Sequence, residues 1–174
     1  MPKSNTEIQY RNLIPPMKRV LYPGSFDPVH NGHLEIVEFA ANHFDEVVVA
    51  AMRNPQKGEP LFSFEERRDM LEESFAAYEN VRVTMFAELV VDLARRENID
   101  LIIKGLRAVS DFESELQMAQ TNKTISGVET IFIPCTSSSS FVASKLIREI
   151  AHFGGDVTSM VPEAVSKRLA DRKS

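Results

Sequence analysis

The sequence of 174 residues has a single cysteine, Cys135, and no tryptophan. One cysteine excludes an internal disulfide and a cysteine-based zinc site. The longest strongly apolar run, residues 47–52, is far shorter than the roughly 20 residues that a membrane-spanning helix needs. The N-terminal residues show no apolar signal core either. These absences predict a cytoplasmic protein that has no membrane partner.

The chain is weakly acidic, with 20 basic and 25 acidic residues and a net charge of −5. Nucleic-acid-binding proteins normally carry a basic surface, so this balance predicts that nucleic acid is not a partner. Residues 59–80 contain seven acidic and two basic residues, which equals the whole net charge. The excess therefore lies largely on one predicted helix, where it is typical of a solvated face. A local cationic site for a small anion remains open elsewhere in the chain.

The chain divides into a short N-terminal extension and one domain. Residues 1–16 are polar, lack hydrophobic periodicity and end in Pro15-Pro16. We therefore predict a disordered extension over these residues, or a translation start at Met17. Residues 17–174 belong to a chain of ordinary globular composition, with 43% hydrophobic and 26% charged residues, and we predict one domain over this range.

Strand-like and helix-like hydrophobic patterns alternate along this domain. They predict strands at residues 19–22, 46–51, 81–86, 99–104 and 128–133, and helices at residues 32–44, 64–78, 89–97, 110–125, 144–152 and 163–172. Ser63-x-x-Glu66 and Ser110-x-x-Glu113 are capping boxes that predict the starts of the second and fourth helices. The alternation predicts a single doubly wound, Rossmann-like α/β domain of about five parallel strands with helices on both faces. Ligands of such domains bind at the carboxyl ends of the strands.

The segment after the first predicted strand carries the most informative motif. It reads Tyr22-Pro-Gly-Ser-Phe-Asp-Pro-Val-His-Asn-Gly-His33. Gly24 permits a tight turn and close ligand approach. His30 and His33 lie at the start of a predicted helix, where free N–H groups favour an anion. The alternative is an ordinary turn with incidental histidines, but the strand–turn–helix context favours a phosphate site.

Three further segments carry cations or hydroxyls near the ends of predicted strands. Lys104 and Arg107 lie in Ile103-Lys-Gly-Leu-Arg107, and Lys57 lies in the loop after the second strand. Residues 139–145 form a serine-rich stretch that enters a helix, where backbone N–H groups can bind phosphate oxygens. Taken alone, the segment with Lys104 and Arg107 is as typical of a solvated strand end as of a phosphate site, whereas the serine-rich stretch and Lys57 are more typical of a solvated surface. Cations at this edge of the sheet are suited to phosphate oxygens.

The segment 22–33 resembles the signature of the nucleotidylyltransferase superfamily, whose His-x-Gly-His or Thr-x-Gly-His motif binds a nucleotide triphosphate. With residues 103–107 and the following Ala108-Val-Ser-Asp-Phe-Glu-Ser-Glu-Leu-Gln-Met118, the chain resembles the phosphopantetheine adenylyltransferase family over most of its length. This resemblance implies transfer of the adenylyl group of ATP to 4′-phosphopantetheine, giving dephospho-CoA and pyrophosphate, the penultimate step of coenzyme A synthesis. The sequence has no obvious Ser/His/Asp or Cys/His set, which agrees with direct in-line displacement.

The resemblance also implies roles for individual residues. His33 would stabilise the transition state at the α-phosphate and is the expected catalytic residue. The expected ATP site comprises Ser25, Phe26, His33, Gly105, Leu106, Arg107, Glu115, Ser139, Ser140, Phe141, Val142, Ala143, Ser144 and Lys145. The expected phosphopantetheine site comprises Ser25, Lys57, Val90 and Lys104. No side chain is expected to ligate a metal.

Three positions depart from the family pattern. Lys104 stands where many members have arginine, so a point charge replaces a bidentate clamp. Residues 142–145 read Val142-Ala-Ser-Lys145 where the family resembles Ile-Ser-Ser-Ser, which leaves Ser144 as the matching hydroxyl. His30 stands where the family often has threonine, which makes the motif more similar to that of the wider superfamily.

The resemblance further implies Mg²⁺ as cofactor, bound mainly through ATP phosphates and water. It implies a homohexamer built as a dimer of trimers, and coenzyme A or dephospho-CoA as product or feedback ligand. The alternatives are another nucleotidylyltransferase, acting on nicotinate mononucleotide or a polyol phosphate, and a non-catalytic nucleotide-sensing module on the same fold. The segments 104–107 and 111–115 favour phosphopantetheine over the first alternative, and the intact His33 and cations argue against the second.

Overall fold

The computed structural model describes residues 18–53, 59–136 and 138–172, and the predicted extension over residues 1–16 and the predicted site residue Lys57 lie outside these ranges. The described residues form five strands, β1 (Arg19–Gly24), β2 (Glu46–Met52), β3 (Val81–Phe86), β4 (Leu101–Leu106) and β5 (Glu129–Pro134). They also form six helices, α1 (Asn31–His43), α2 (Phe64–Phe75), α3 (Val90–Arg96), α4 (Val109–Ser126), α5 (Ser144–His152) and α6 (Glu163–Asp171). Within the described part of the chain, no helix combines the length and the apolarity needed to cross a membrane.

The five strands form one parallel sheet in the order β3-β2-β1-β4-β5. Strand β1 pairs with β2 on one side and with β4 on the other, so the order of the strands reverses at β1. In doubly wound domains, ligands bind outside the carboxyl ends of the strands at such a reversal. The predicted fold class, a doubly wound Rossmann-like α/β domain with about five parallel strands, is confirmed.

Two hydrophobic clusters cover the two faces of the sheet. Along β2, Val47 and Val49 enter the larger cluster, which also contains residues of α1, α2, α5 and α6. Val48 and Ala50 point the other way, into the smaller cluster with residues of α3. A parallel strand that is buried on both faces has a continuous apolar sequence, and this explains the apolar run at residues 47–52.

One of the two predicted capping boxes is present. The Ser63 hydroxyl accepts a hydrogen bond from the Glu66 backbone N–H at 3.1 Å, and the Glu66 carboxylate accepts one from the Ser63 N–H at 2.7 Å. The box predicted at Ser110 is wrong, because the N-cap of α4 is Ala108 and Ser110 lies inside the first turn. Strand β4 ends only two residues before Ala108, so the chain turns into the helix earlier than the polar residues indicate.

Strand β4 begins two residues later than predicted, and this shift places the cationic segment. Ile99 does not start the strand, because its N–H donates to the carbonyl of Ala94 at 2.8 Å and closes the turn after α3. Asn98 in this turn has a positive φ of 52°. As a result, Lys104 lies inside β4, and Arg107 directly follows its carboxyl end, at the edge where a ligand is expected.

Candidate active site

A cavity of about 1450 Å³ opens at the carboxyl ends of β1, β2 and β4. Pockets for a single small ligand commonly measure roughly 300–1,000 Å³, so this cavity has room for more than one. It is lined by residues from several segments that are distant in the sequence. Ten of the predicted site residues lie in its wall: Ser25, Phe26, His33, Lys104, Gly105, Arg107, Glu115, Ala143, Ser144 and Lys145.

The turn after β1 is shaped by the ring of Phe26. Phe26 has a positive φ of 46°, a strained conformation for a non-glycine residue that is found most often at functional sites. Its ring is buried and meets His33 edge-on, with 4.8 Å between the ring centroids. A Cβ atom on Gly24 would lie 2.9 Å from a carbon of this ring. Gly24 therefore permits the close approach of the Phe26 ring. From the sequence we expected it to permit the close approach of a ligand.

His33 occupies the first turn of α1 and lines the cavity. Its Nδ1 accepts a hydrogen bond from the backbone N–H of His30 at 3.1 Å, which assigns the ring proton to Nε2. Burial, and then the nearby His30, Arg107 and Lys104, hold the pKa of His33 well below its usual range. At neutral pH His33 is therefore an uncharged imidazole that offers an N–H donor.

His30 is the N-cap of α1 and stacks on His33, with 3.6 Å between the ring centroids. Burial, helped by Arg107, lowers the pKa of His30 to about 4, so this ring is also neutral at pH 7. Its Nδ1 is buried and has no hydrogen-bond partner among the described residues. His30 lines the cavity as well, although the sequence analysis did not place it in either substrate site.

The positive charge of the cavity comes from lysine and arginine. The Nζ of Lys104 lies 3.2 Å from the Glu115 carboxylate, so two predicted site residues form an ion pair between β4 and α4. Arg107 donates from Nη1 to the carbonyl of Val142 at 3.2 Å, which links the end of β4 to the segment that leads into α5. Lys145 lies in the first turn of α5 and also lines the cavity.

The serine-rich stretch is tied to α1 more than to the cavity. Ser139 is buried, and its hydroxyl donates to the Glu35 carboxylate at 2.5 Å. Ser140 is half-buried, Phe141 is 59% exposed, and Val142 packs in the main core. These four predicted ATP-site residues lie outside the cavity wall, and their contact with nucleotide stays a prediction.

Ser144 connects this stretch to the turn between β1 and α1. Its hydroxyl donates to the carbonyl of Pro28 at 2.9 Å. Two other predicted residues do not line the cavity. Leu106 ends β4 without lining it, and Val90 begins α3 and packs against the smaller core cluster. Their roles in binding also stay predictions.

Two candidate functional residues in the cavity wall, Asp27 and Arg67, were not identified from the sequence. Asp27 is buried and accepts hydrogen bonds from the backbone N–H groups of Leu61 and Phe62, both at 2.9 Å. Arg67 belongs to the acidic segment that was expected to form a solvated face, yet it is only 4% exposed. Asp27 lay inside the recognised motif and could have been found there. Nothing local distinguishes Arg67 from the exposed Arg68 beside it.

Comparison with known proteins shows which sequences this chain is similar to. Residues 21–150 match the model of the cytidylyltransferase-like family. A Streptomyces coelicolor protein called phosphopantetheine adenylyltransferase is 51% identical over 156 residues, which cover 90% of this chain and 98% of the relative. A Gloeobacter violaceus protein of the same name is 50% identical over 153 residues, covering 87% of this chain and 94% of the relative.

A solved structure supports the fold alone. The crystal structure of a putative nicotinate-nucleotide adenylyltransferase from Vibrio parahaemolyticus superimposes with a TM-score of 0.63, at 16% sequence identity. The match covers 88% of this chain and 99% of that one. Identity above 50% over nearly the full length of a curated relative is far stronger evidence of family. The chain therefore belongs to the cytidylyltransferase-like family and, within it, to the phosphopantetheine adenylyltransferase family.

Proposed function

We propose that this protein transfers the adenylyl group of ATP to 4′-phosphopantetheine, giving dephospho-CoA and pyrophosphate. The observation that carries the proposal is the neutral imidazole of His33, which keeps a hydrogen on Nε2 at a cavity that also holds Lys104 and Arg107. A neutral donor beside two cations suits an anionic phosphorus centre. The shared name of the bacterial relatives supports phosphopantetheine as the acceptor.

The acceptor supplies its own nucleophile. A phosphate monoester is largely ionised near pH 7, so its oxygen needs no strong general base. This oxygen attacks the α-phosphorus of ATP in line. A new phosphoanhydride bond forms, the bond to the bridging oxygen of the leaving group breaks, and pyrophosphate departs. The main task of the protein is to hold two polyanions in line for the attack.

His33 acts as a hydrogen-bond donor in this scheme. Its Nδ1 is occupied by the N–H of His30, and its Nε2 carries the proton. In this form the ring has no free lone pair at Nε2, so it stabilises charge on a non-bridging oxygen of the α-phosphate. Preorganised donors of this kind contribute most where negative charge increases in the transition state.

Lys104, Lys57 and Arg107 neutralise the remaining charge. Lys104 and Lys57 would hold the acceptor phosphate with Ser25 and Val90, and Arg107 would contact the phosphates of ATP. The other nucleotide contacts proposed are those that the resemblance implies, from Phe26 and Gly105 to Glu115 and the 139–145 stretch. The ten of these residues that share the cavity wall support the assignment.

Mg²⁺ fits this site as a companion of ATP. Among the described residues, no group of three or more His, Cys, Asp or Glu side chains is arranged to hold a metal ion. The resemblance implies an ion held mainly by phosphate oxygens and water, which is the common binding mode of Mg²⁺. When bound, the ion would offset negative charge on the phosphates. Arg107 would hold the same phosphates from the protein side, while Lys104 would hold the acceptor phosphate.

Three further properties follow from family membership and are part of the proposal. The chain forms a homohexamer built as a dimer of trimers, works in the cytoplasm, and binds coenzyme A or dephospho-CoA as product or feedback ligand. All three rest on the resemblance to the family, because the names of the relatives state only the enzyme. Analytical ultracentrifugation and inhibition by added coenzyme A test the first and the last.

The experiment that tests the function measures pyrophosphate release from ATP with three acceptors in parallel. The acceptors are 4′-phosphopantetheine, nicotinate mononucleotide and glycerol 3-phosphate, each with ATP or CTP and Mg²⁺. We expect turnover with ATP and phosphopantetheine alone. His33→Ala, purified in the same way, controls for contaminating activity. Failure with phosphopantetheine alongside turnover of another acceptor would overturn the assignment, and binding without any turnover would favour a sensing module.

A further inference from the structure

Arg67 is a buried permanent charge beneath the candidate active site. It lies in the first turn of α2, lines the cavity and is only 4% exposed. Burial of a guanidinium is costly unless its donors are satisfied, and arginine does not escape the cost by losing its proton. Burial does lower the pKa of Arg67, against the opposing effects of Asp27 and Glu65. A side chain kept in this position must provide something that an apolar residue would not.

The donors of Arg67 are used on three backbone carbonyls. Nη1 donates to Ser25 O at 2.7 Å and to Met52 O at 3.1 Å, and Nε donates to Ser63 O at 3.4 Å. These carbonyls lie directly after β1, at the end of β2 and directly before α2. None of the three acceptors is a carboxylate, so the hydrogen bonds themselves do not neutralise the charge of Arg67, and the carboxylates of Asp27 and Glu65 offset it only through space.

We propose that Arg67 is a positioning residue for the acceptor side of the reaction, fixing Ser25 and the end of β2 around the phosphate of 4′-phosphopantetheine. The inference rests on the proposed function. Strands β1 and β2 are parallel neighbours, so the guanidinium cross-links their carboxyl ends and sets the gap between them. Ser25 is expected to contact the acceptor phosphate, and Lys57, expected to contact the same phosphate, follows Met52 by five residues in the sequence.

The strand order predicts that the effect falls mainly on the acceptor, because Ser25 is the one residue among the three held by Arg67 that is also expected in the ATP site. Arg67 bridges β1 and β2, whereas Arg107 follows β4, on the opposite side of β1. None of these three hydrogen bonds of Arg67 goes to a residue of β4 or α5, where other expected nucleotide contacts lie. Loss of Arg67 should therefore impair use of phosphopantetheine while ATP binding persists. Lysine cannot replace the planar fork, because its single ammonium does not span the same acceptors with fixed geometry.

Steady-state kinetics of Arg67→Met, Arg67→Lys and Arg68→Met test the proposal. Arg68 is the matched control, since it follows Arg67 on the same helix but is exposed and pairs with Asp69 at 3.0 Å. For Arg67→Met we expect the KM for phosphopantetheine to rise roughly tenfold or more, kcat to fall, and the KM for ATP to stay within about threefold, as lost hydrogen bonds to a charged group imply. Arg67→Lys should fall between Arg67→Met and wild type, and Arg68→Met should match wild type.

Each outcome decides one of two questions. A wild-type protein that does not turn over phosphopantetheine overturns the proposed function and this inference with it. An active wild type whose Arg67→Met variant matches Arg68→Met overturns the inference alone. Equal increases in the KM of both substrates would show general distortion of the cavity and would also overturn it. If Arg67→Met fails to fold in thermal denaturation, Arg67→Lys decides: wild-type kinetics in that folded variant contradict the need for the fork.

Discussion

The backbone N–H of His30 donates to Nδ1 of His33 across 3.1 Å, and this bond determines which ring nitrogen of His33 carries the proton. The same two rings stack at 3.6 Å between centroids. A histidine in this arrangement is fixed in orientation by its own helix N-terminus. The first turn of α1 therefore places an N–H donor at the cavity without a carboxylate to orient it.

Replacement of His33 should affect catalysis more than binding. We expect His33→Ala to lower kcat by roughly a hundredfold or more, since one preorganised donor to a developing charge is removed. The Kd for ATP should change by less than about fivefold, because the cations and backbone still hold the phosphates. Stopped-flow turnover and calorimetric ATP titration measure the two effects. His43→Ala, at the exposed end of the same helix, is the control, and an unchanged kcat in His33→Ala would remove His33 from the mechanism.

The buried His30 predicts a stability change in mild acid. Its pKa is near 6.5 in an unfolded chain but is lowered to about 4 in the folded protein, mainly by burial. Below pH 6.5 the unfolded state therefore binds a proton that the folded state does not, and stability falls as pH drops toward 4. This loss amounts to about 3 kcal/mol at most for the shift of His30.

Urea unfolding at a series of pH values isolates this contribution. The free energy of unfolding of His30→Asn should depend less steeply on pH than that of wild type between about pH 4 and pH 6.5. His43→Asn, on an exposed residue of the same helix, should follow wild type. Parallel curves for wild type and His30→Asn would show that the protonation of His30 does not oppose folding.

Lys104 should contribute charge that arginine can also provide. Its ammonium lies 3.2 Å from Glu115, within the wall of the cavity. We expect Lys104→Met to lower kcat/KM for phosphopantetheine roughly ten- to a hundredfold, because a charged donor to the acceptor phosphate is lost. Lys104→Arg should stay within about tenfold of wild type, since the charge persists while the geometry changes. Wild-type kinetics in Lys104→Met would exclude a role for this cation.

Lys57 gives a prediction that rests on the sequence alone. We expect Lys57→Ala to raise the KM for phosphopantetheine roughly tenfold or more and to leave ATP binding nearly unchanged. Lys123→Ala is a suitable control, because Lys123 is exposed on α4 and pairs with Glu129 at 2.6 Å. Initial-rate kinetics with each substrate varied in turn separate the two effects. Equal losses for ATP and phosphopantetheine would indicate a general charge effect instead.

The capping box of α2 predicts a purely structural effect. Ser63→Ala removes the side-chain acceptor of the Glu66 N–H and should cost about 1 kcal/mol of unfolding free energy. The Ser63 carbonyl that accepts from Arg67 is unaffected, so both KM values should remain those of wild type. Urea denaturation and steady-state kinetics on the same preparation check both statements. A changed acceptor KM would mean that the helix start, as well as Arg67, sets the acceptor site.

The sequence predicted the fold well because strands and helices of this domain differ in hydrophobic period. The buried run at residues 47–52 and the box at Ser63 needed no tertiary information. The start of β4 needed tertiary information, because the apolar Ile99 closes the turn after α3 and does not enter the strand. The start of α4 also needed tertiary information, since the short link after β4 makes the helix begin before the polar Ser110.

The candidate site was predictable where a motif placed several residues together. The segment from Ser25 to His33 lies as expected between a strand and a helix. Partners distant in sequence were not predictable: Ser139 bonds to Glu35, and Arg67 reaches the carbonyls of two strands. Such contacts depend on how α1 and α2 pack against the sheet, which local residue patterns do not encode.

The fate of the α-phosphorus tests the central claim most directly. Wild-type protein is incubated with ATP labelled at the α-phosphate and with 4′-phosphopantetheine, and the products are separated by chromatography. Adenylyl transfer by in-line displacement predicts one labelled dephospho-CoA for each pyrophosphate released, and no label retained on denatured protein. Label recovered as AMP, on the protein, or on no acceptor at all would contradict the proposed reaction.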